Sequence, residues 1–251
     1  VAEKEAISLE LFEILSIVYS EIIELSHELI SIDIKKFTSL QLSNTKMANE
    51  IQQIDLLLAE LMYDIKTKQN FSKSDPSLLK VLAENHKIDS KNKRIQESPR
   101  FRIRLYKMYS RLLLQKKDYK SLEQFLLVTY KDFLKSKIFN RSNHNDKLTL
   151  LTYLTNCFHK LNKHSDSLKF AQELFVAMKE FDGFLHNKFL FYYYNSLVLN
   201  YAIEDKEKAL LVLKEDSQNE TIKKIPAFTT FIYLNTALIN FFQKQFSKAN
   251  K

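Results

Sequence analysis

The sequence predicts an all-α fold, built as an α-solenoid of antiparallel helix hairpins that follow a long N-terminal helical hairpin. The 251-residue chain has one glycine and three prolines, whereas sheet proteins need many tight turns, which favour Gly, Pro and Asn. Apolar residues recur at three- and four-residue spacing, which is the period of an amphipathic helix. Pairs of such segments, each joined by a short polar turn, recur along the chain.

Two long helices are predicted before residue 70. Residues 2–31 carry Ile and Leu at helical spacing with glutamates on the other side, and a second pattern covers residues 34–68. The polar residues 31–33 between them supply a turn and an N-cap. We therefore predict an N-terminal hairpin domain over 1–70, which could be a first repeat, a dimerisation arm or a partner-binding pair.

Residues 71–99 interrupt the helical pattern. Asp75 is the expected N-cap of a short helix, with Pro76 as its first residue. A polar and basic stretch follows and ends at Pro99, which is typical of a linker.

From Arg100 to the last residue, 251, the chain is predicted to repeat. Equivalent turns at Tyr119, His164, Lys206 and Phe246 are spaced by 45, 42 and 40 residues. Such a recurrence is typical of a helical solenoid, because a single hairpin cannot bury its own apolar face but stacked hairpins can. The predicted helix pairs are 100–115 with 120–138, 146–161 with 165–181, 186–203 with 206–216, and 226–243 with a helix that starts at Phe246.

The repeat resembles the tetratricopeptide family. Leu154, Thr155 and Phe158 match that family's first helix, and Asn162 lies where the family prefers glycine. The resemblance covers about residues 100–251, although the period is longer than the family's ~34 residues. It implies a superhelix whose first helices line an inner groove that binds a protein or peptide. Further matches are Ser167, Ala171, Tyr233, Ala237, Phe246, Ala249, Tyr106, Ser110, Tyr119 and the segment 206–210.

The charge of the chain is unevenly distributed. Residues 1–34 contain eight acidic residues and one lysine, a net charge of −7, so the remainder of this +8 chain carries +15. On the helix that begins at residue 100, four basic residues follow one another at spacings of four, three and four, which places them on one face. This row could bind an acidic peptide or nucleic-acid phosphates, pair with the acidic first helix, or face solvent. Its members are Arg100, Arg104, Lys107 and Arg111.

A dense aromatic run in the third predicted repeat is the second candidate for partner binding. One helix cannot bury Phe189, Phe191, Tyr192, Tyr193 and Tyr194 together. We therefore predict that some of them, with the tyrosines as candidates, contact a partner, since Tyr is favoured at interaction surfaces. Packing between repeats is the alternative interpretation.

No residue pattern predicts catalysis, a metal site or a cofactor. Glu24 and His27 have the spacing used in carboxylate-bridged di-iron bundles, but the chain contains no second copy of that pattern. Apart from His159 and His164, which are five residues apart and lack a third ligand, no histidine has a Cys or His at metal-ligand spacing. The lone Cys157 is predicted to be a buried apolar residue. Residues 225–243 carry no charge, yet their Asn and Thr content favours a buried helix over a membrane span.

The sequence therefore predicts a non-catalytic scaffold that binds a protein or peptide in the cytoplasm, with an acidic segment as the candidate partner. The alternative is the sensory or regulatory helical region of a larger bacterial-type regulator, which would bind a peptide or nucleic acid through the basic row. Partner identity and oligomeric state are not encoded in any recognisable pattern.

Overall fold

The computed structural model describes residues 2–67, 96–225, 228–245 and 248, and the described residues form eleven α-helices, one 3₁₀ turn and no strand. The all-α prediction is confirmed. The chain divides into two compact units, Val1–Lys117 and Asp118–Lys251. The helices are α1 Ala2–Ser8, α2 Phe12–Leu25, α3 Ile34–Thr67, α4 Pro99–Gln115, α5 Tyr119–Lys135, α6 His144–Lys160, α7 His164–Ala177, α8 His186–Glu204, α9 Lys206–Gln218, α10 Glu220–Lys223 and α11 Phe228–Phe242, with the 3₁₀ turn at Phe181–Gly183.

Within the first unit, α3 packs against both α2 and α4. One apolar cluster joins Phe12, Leu15 and Tyr19 of α2 to Met47, Ile51 and Ile54 of α3, with Phe101 of α4 beside them. A second cluster joins the end of α3 to α4 through Leu57, Leu61, Met108 and Leu112. Helix α4, which the sequence analysis grouped with the repeats, thus lies in the first unit. The unit boundary falls inside the predicted pair 100–115 with 120–138.

The predicted helix over residues 2–31 is wrong in detail, because it is broken into α1 and α2 around Glu10. Glu10 has a φ of 52°, in the left-handed region. Its carboxylate oxygen Oε2 accepts hydrogen bonds from the Ser98 hydroxyl at 2.8 Å and from the Arg100 backbone N–H at 2.7 Å. Glu10 therefore helps to cap the N-terminus of α4, where an anionic group is stabilising. A contact across about 90 residues of chain thus compensates for the interruption.

Within the second unit, extensive contacts join helices that are close in sequence. Helix α6 packs against α5 and α7, and α8 packs against α6, α7 and α9. Helix α11 packs on α9 through a cluster that includes Ile239, Val198 and Val212. Two of the predicted pairs, α6 with α7 and α8 with α9, are therefore in contact. The short α10 and the 3₁₀ turn are additions that the periodicity did not predict.

The helix ends explain how a chain with one glycine can turn so often. Lys117, Lys137, Asn162 and Lys244 each follow a helix with φ between 53° and 61°. The backbone N–H of Asn162 donates to the His159 carbonyl, and the N–H of the next residue donates to the Phe158 carbonyl. These are the bonds of a helix C-cap that usually carries Gly or Asn. Lysines thus occupy left-handed positions at which glycine would carry no steric penalty.

Several predictions lie outside the described residues. They are the short helix capped at Asp75 and Pro76, most of the basic linker, and the terminal helix at Phe246 and Ala249. Across the described residues, no helix combines the length and apolar character that a bilayer span requires.

Candidate functional site

The first member of the predicted basic row is engaged within its own unit. Arg100 donates from both terminal guanidinium nitrogens to the two carboxylate oxygens of Glu13, at 3.0 and 2.8 Å. It also donates to the backbone carbonyl of Glu10 at 3.0 Å. These hydrogen bonds lower the pKa of Glu13 and raise that of Arg100. Arg100 therefore pairs with the acidic N-terminal segment, which is one of the alternatives predicted for the basic row.

The other members of the basic row also lie along α4. The Arg104 Nε is 2.6 Å from an Asp55 carboxylate oxygen on α3. Lys107 and Arg111 follow on the same helix and are half-buried. The charges of Arg100 and Arg104 are thus compensated within the first unit, so the row offers a weaker attraction to an acidic partner than its sequence predicts. Partner binding by the four residues stays a prediction.

A double-mutant cycle will measure the pair between Arg100 and Glu13. We expect Arg100→Gln and Glu13→Gln each to lower the free energy of unfolding, with a coupling of about 0.5–1 kcal/mol, because Glu13 is 64 % exposed and solvent weakens the attraction. Urea unfolding followed by circular dichroism measures it. The matched control is Arg102→Gln with Glu13→Gln, for which additive effects are expected. Additivity in the Arg100 cycle as well would contradict the prediction.

The aromatic run on α8 is used mainly for packing between helices. Phe189 is buried, the ring of Phe191 meets that of Phe231 on α11 edge-on at 5.2 Å, and Tyr193 stacks on Phe175 of α7 at 4.7 Å. Tyr194 packs against the cluster that joins α8, α9 and α11. Burial raises the pKa of both Tyr193 and Tyr194. Tyr192, which is 45 % exposed, is the tyrosine of the run best placed to reach a partner.

Helix α6 is buried on every side except one stripe. The half-buried or exposed residues of this stripe recur four, four, three and four positions apart, so they share one helical face. The neighbouring positions on the other faces are mostly buried. Polar groups dominate this face. The α6 stripe comprises Asn145, Thr149, Tyr153, Asn156 and Lys160.

Helix α8 carries a corresponding stripe at its open face. Its large apolar residues Tyr192 and Ile203 are 45 % and 57 % exposed. The Lys188 ammonium donates to the Asn145 side-chain oxygen at 2.6 Å, which links this stripe to that of α6. The α8 stripe comprises Lys188, Tyr192, Asn195, Leu199 and Ile203. We call the two stripes together the first-helix surface; it holds two lysines and no acidic residue.

A buried hydrogen-bond network, the Asn200 network, lies behind the first-helix surface. The fully buried amide oxygen of Asn200 is 3.3 Å from His159 Nδ1 and 3.0 Å from His164 Nδ1. Its amide nitrogen donates to the Ser167 hydroxyl at 2.8 Å and to the Ser196 carbonyl at 2.7 Å. Because the amide oxygen can only accept, both imidazoles carry their proton on Nδ1. The network fastens α8 to the pair α6 and α7, and burial lowers the pKa of His159.

A second buried polar group lies near the end of α9. The Asp216 side chain is fully buried, and no described residue donates a hydrogen bond to either carboxylate oxygen. Burial raises its pKa from 3.8 to about 7. Tyr194 is close enough for the negative charge of Asp216 to contribute to its own raised pKa. When it is ionised, Asp216 therefore destabilises the folded state of the second unit. The sequence pattern did not identify this residue.

The residues weighed for metal binding or catalysis lie as follows. Helix α2 ends at Leu25, and His27 lies in the turn that follows, where its backbone N–H donates to the Glu24 carbonyl at 3.0 Å. Within the described ranges, no group of three or more His, Cys, Asp or Glu side chains is positioned to hold a metal ion. Cys157 is buried, and its thiol donates a hydrogen bond to the Tyr119 carbonyl oxygen, with Sγ 3.1 Å from that oxygen. Burial raises the pKa of the thiol to about 12. Its prediction as a buried apolar residue is confirmed.

Comparison with known proteins adds no assignment. The chain matches no protein-family model, and the comparisons with curated proteins and with solved structures found no match.

Proposed function

We propose that this chain is a non-catalytic, tetratricopeptide-like helical-repeat scaffold that binds an extended peptide segment of a partner protein on the first-helix surface. The observation that carries the proposal is the pair of adjacent open stripes on α6 and α8, which are joined at one point by the Lys188–Asn145 hydrogen bond. The rest of α6 is almost wholly buried. A rigid platform of this kind lowers the entropy lost on binding.

The chemistry of the surface favours an extended peptide with acidic residues. Asn156 and Asn195 each present an amide donor and an amide acceptor, which complement the N–H and C=O groups of a peptide main chain. Tyr192 supplies apolar contact area together with a hydroxyl group. Lys160 and Lys188 give the surface a positive charge. An acidic peptide would therefore be attracted in a salt-dependent way.

A peptide selection tests the proposal. The full chain is immobilised and used to enrich binders from a random peptide library, and the affinity of the enriched peptides is measured by fluorescence anisotropy. We expect acidic sequences to be enriched, and the double substitution Asn156→Ala with Tyr192→Ala to weaken their binding about tenfold or more. Added salt should weaken binding as well.

The matched control is Tyr63→Ala on α3, because Tyr63 is an exposed tyrosine, at 68 %, that lies in the other unit. It should leave the affinity unchanged. Failure to enrich any peptide, or unchanged binding by the double variant, would refute the proposal.

A further inference from the structure

Helix α11 is apolar on two opposite faces. One face packs into the second unit through Phe231, Ile232 and Ile239, which join the cluster around Val198 and Val212. No charged residue occurs between positions 225 and 243. A surface helix normally places charged residues opposite its packed face, whereas an apolar outer face is typical of a helix that is covered on both sides.

The outer face of α11 forms a continuous stripe of three helical turns. Its large residues remain exposed: Tyr233 is 64 % exposed, Leu234 57 % and Leu238 45 %. Contiguous apolar patches of this kind mark interaction surfaces in folded proteins. The members at successive spacings of three, one, three, one and three residues are Thr230, Tyr233, Leu234, Ala237, Leu238 and Phe241. We call this set the α11 stripe.

We propose that the α11 stripe is a self-association surface, through which two copies of this chain pair antiparallel about a two-fold axis. An antiparallel pair centred between residues 235 and 236 places every member of the stripe opposite another member. Leu234 then lies opposite Ala237 of the other copy, and Phe241 lies opposite Thr230. A large side chain thus meets a small one in these two pairs, whereas Tyr233 lies opposite Leu238; ridges and grooves of this kind allow close helix packing. A two-fold interface must be self-complementary in this sense.

The exposed area is sufficient for a specific dimer. The four large members of the α11 stripe are Tyr233, Leu234, Leu238 and Phe241. These members and the adjacent Phe242, which is not a member, are 45–65 % exposed. Each leaves roughly 100 Å² accessible, given the size of aromatic and aliphatic side chains. Pairing two copies would bury ~1,000 Å² in total, which reaches the lower limit of specific protein interfaces. The absence of charge on the stripe means that no ion needs to be desolvated or paired on association.

Sedimentation equilibrium of the full chain tests the proposal. We expect a mass that rises with concentration toward twice 29.7 kDa. Leu238→Glu should hold the mass at 29.7 kDa, because two buried carboxylates would face apolar side chains. The matched control Val176→Glu changes an apolar residue on α7 that is 57 % exposed, and it should still dimerise. A chain that stays monomeric up to about 100 μM, or a Leu238→Glu variant that dimerises normally, would overturn the proposal and leave the stripe to a different partner.

Disulfide trapping tests the orientation without introducing a charge. Leu234→Cys and Ala237→Cys chains are mixed under oxidising conditions. We expect the mixed disulfide to form at least ten times faster than either homodimeric disulfide. The native Cys157 gives little background, since it is buried and its pKa is about 12. Faster formation of the two homodimeric disulfides would indicate a parallel pair and overturn the antiparallel geometry.

Discussion

Asp216→Asn is expected to raise the free energy of unfolding at pH 8 by about 2–4 kcal/mol. The wild-type carboxyl group is fully buried and receives no hydrogen bond from any described residue. An ionised carboxylate in such a place loses its hydration without compensation. Asparagine has nearly the same shape but no charge, so the penalty for burying the ion disappears while the packing is kept.

The effect of Asp216→Asn should depend on pH in a defined way. The pKa of Asp216 is raised from 3.8 to about 7 in the folded protein. The folded state therefore holds the proton more tightly, and wild-type stability falls as the pH rises from about 4 to about 7. Above that range the loss is complete and constant. The stability difference between variant and wild type should grow from near zero at pH 4 to its full value at pH 8.

Comparison of the two proteins isolates this carboxyl group from other titrations. The lowered pKa values of His144 and His159 act in the opposite direction, since they reduce stability as the pH falls below 6.5. Their contribution is the same in both proteins and cancels in the difference. Urea unfolding at several pH values provides the measurement. Glu215→Gln, the exposed neighbour, is the control and should show no such trend. A difference that does not vary with pH would contradict the prediction.

The second large effect is expected for Asn200→Ala, which should lower the free energy of unfolding by about 3 kcal/mol. The substitution removes an amide whose donors and acceptor are all used. It leaves the N–H groups of two half-buried histidines and the buried Ser167 hydroxyl with one partner fewer. Loss of one buried partner costs more than the hydrogen bond itself, because the remaining groups stay desolvated.

Hydrogen exchange will show where the effect of Asn200→Ala acts. Amide protection should fall in α8 and at the start of α7, because the Asn200 network joins these helices, while protection in the first unit should be unchanged. Asn187→Ala, at an exposed position of the same helix, is the matched control and is expected to change stability by less than about 0.5 kcal/mol. Equal effects of the two substitutions would show that the network contributes nothing beyond helix propensity.

Much of the helical structure followed from local patterns. The predicted segments 186–203 and 206–216 correspond closely to α8 and α9, because their apolar residues keep the helical period and Asp205 offers an N-cap. The second long helix, α3, begins at Ile34 as predicted and continues to Thr67, where the described residues of this segment end. Local propensity and burial favour the same conformation in these segments, so the sequence alone was sufficient.

The remaining features depend on contacts between distant residues. Glu10 lies within a good helical pattern, yet it adopts a left-handed conformation because its carboxylate reaches Ser98 and Arg100. The basic row was predicted from spacing on α4, but spacing cannot reveal Asp55 on another helix. Likewise, the sequence could predict the first-helix surface only as a separate face on each helix. It could not predict that the α6 and α8 faces lie side by side, as the Lys188–Asn145 contact shows.

In the second unit, contacts form preferentially between helices that are near in sequence. This preference has a consequence for folding kinetics. Helices α6 and α7 meet across a connection of three residues, and α8 and α9 across one. Closing such short loops loses little chain entropy, and proteins rich in local contacts cross their folding barrier quickly. Either pair can therefore nucleate first, and the pair α6 and α7 can form while α8 and the helices after it are still being synthesised.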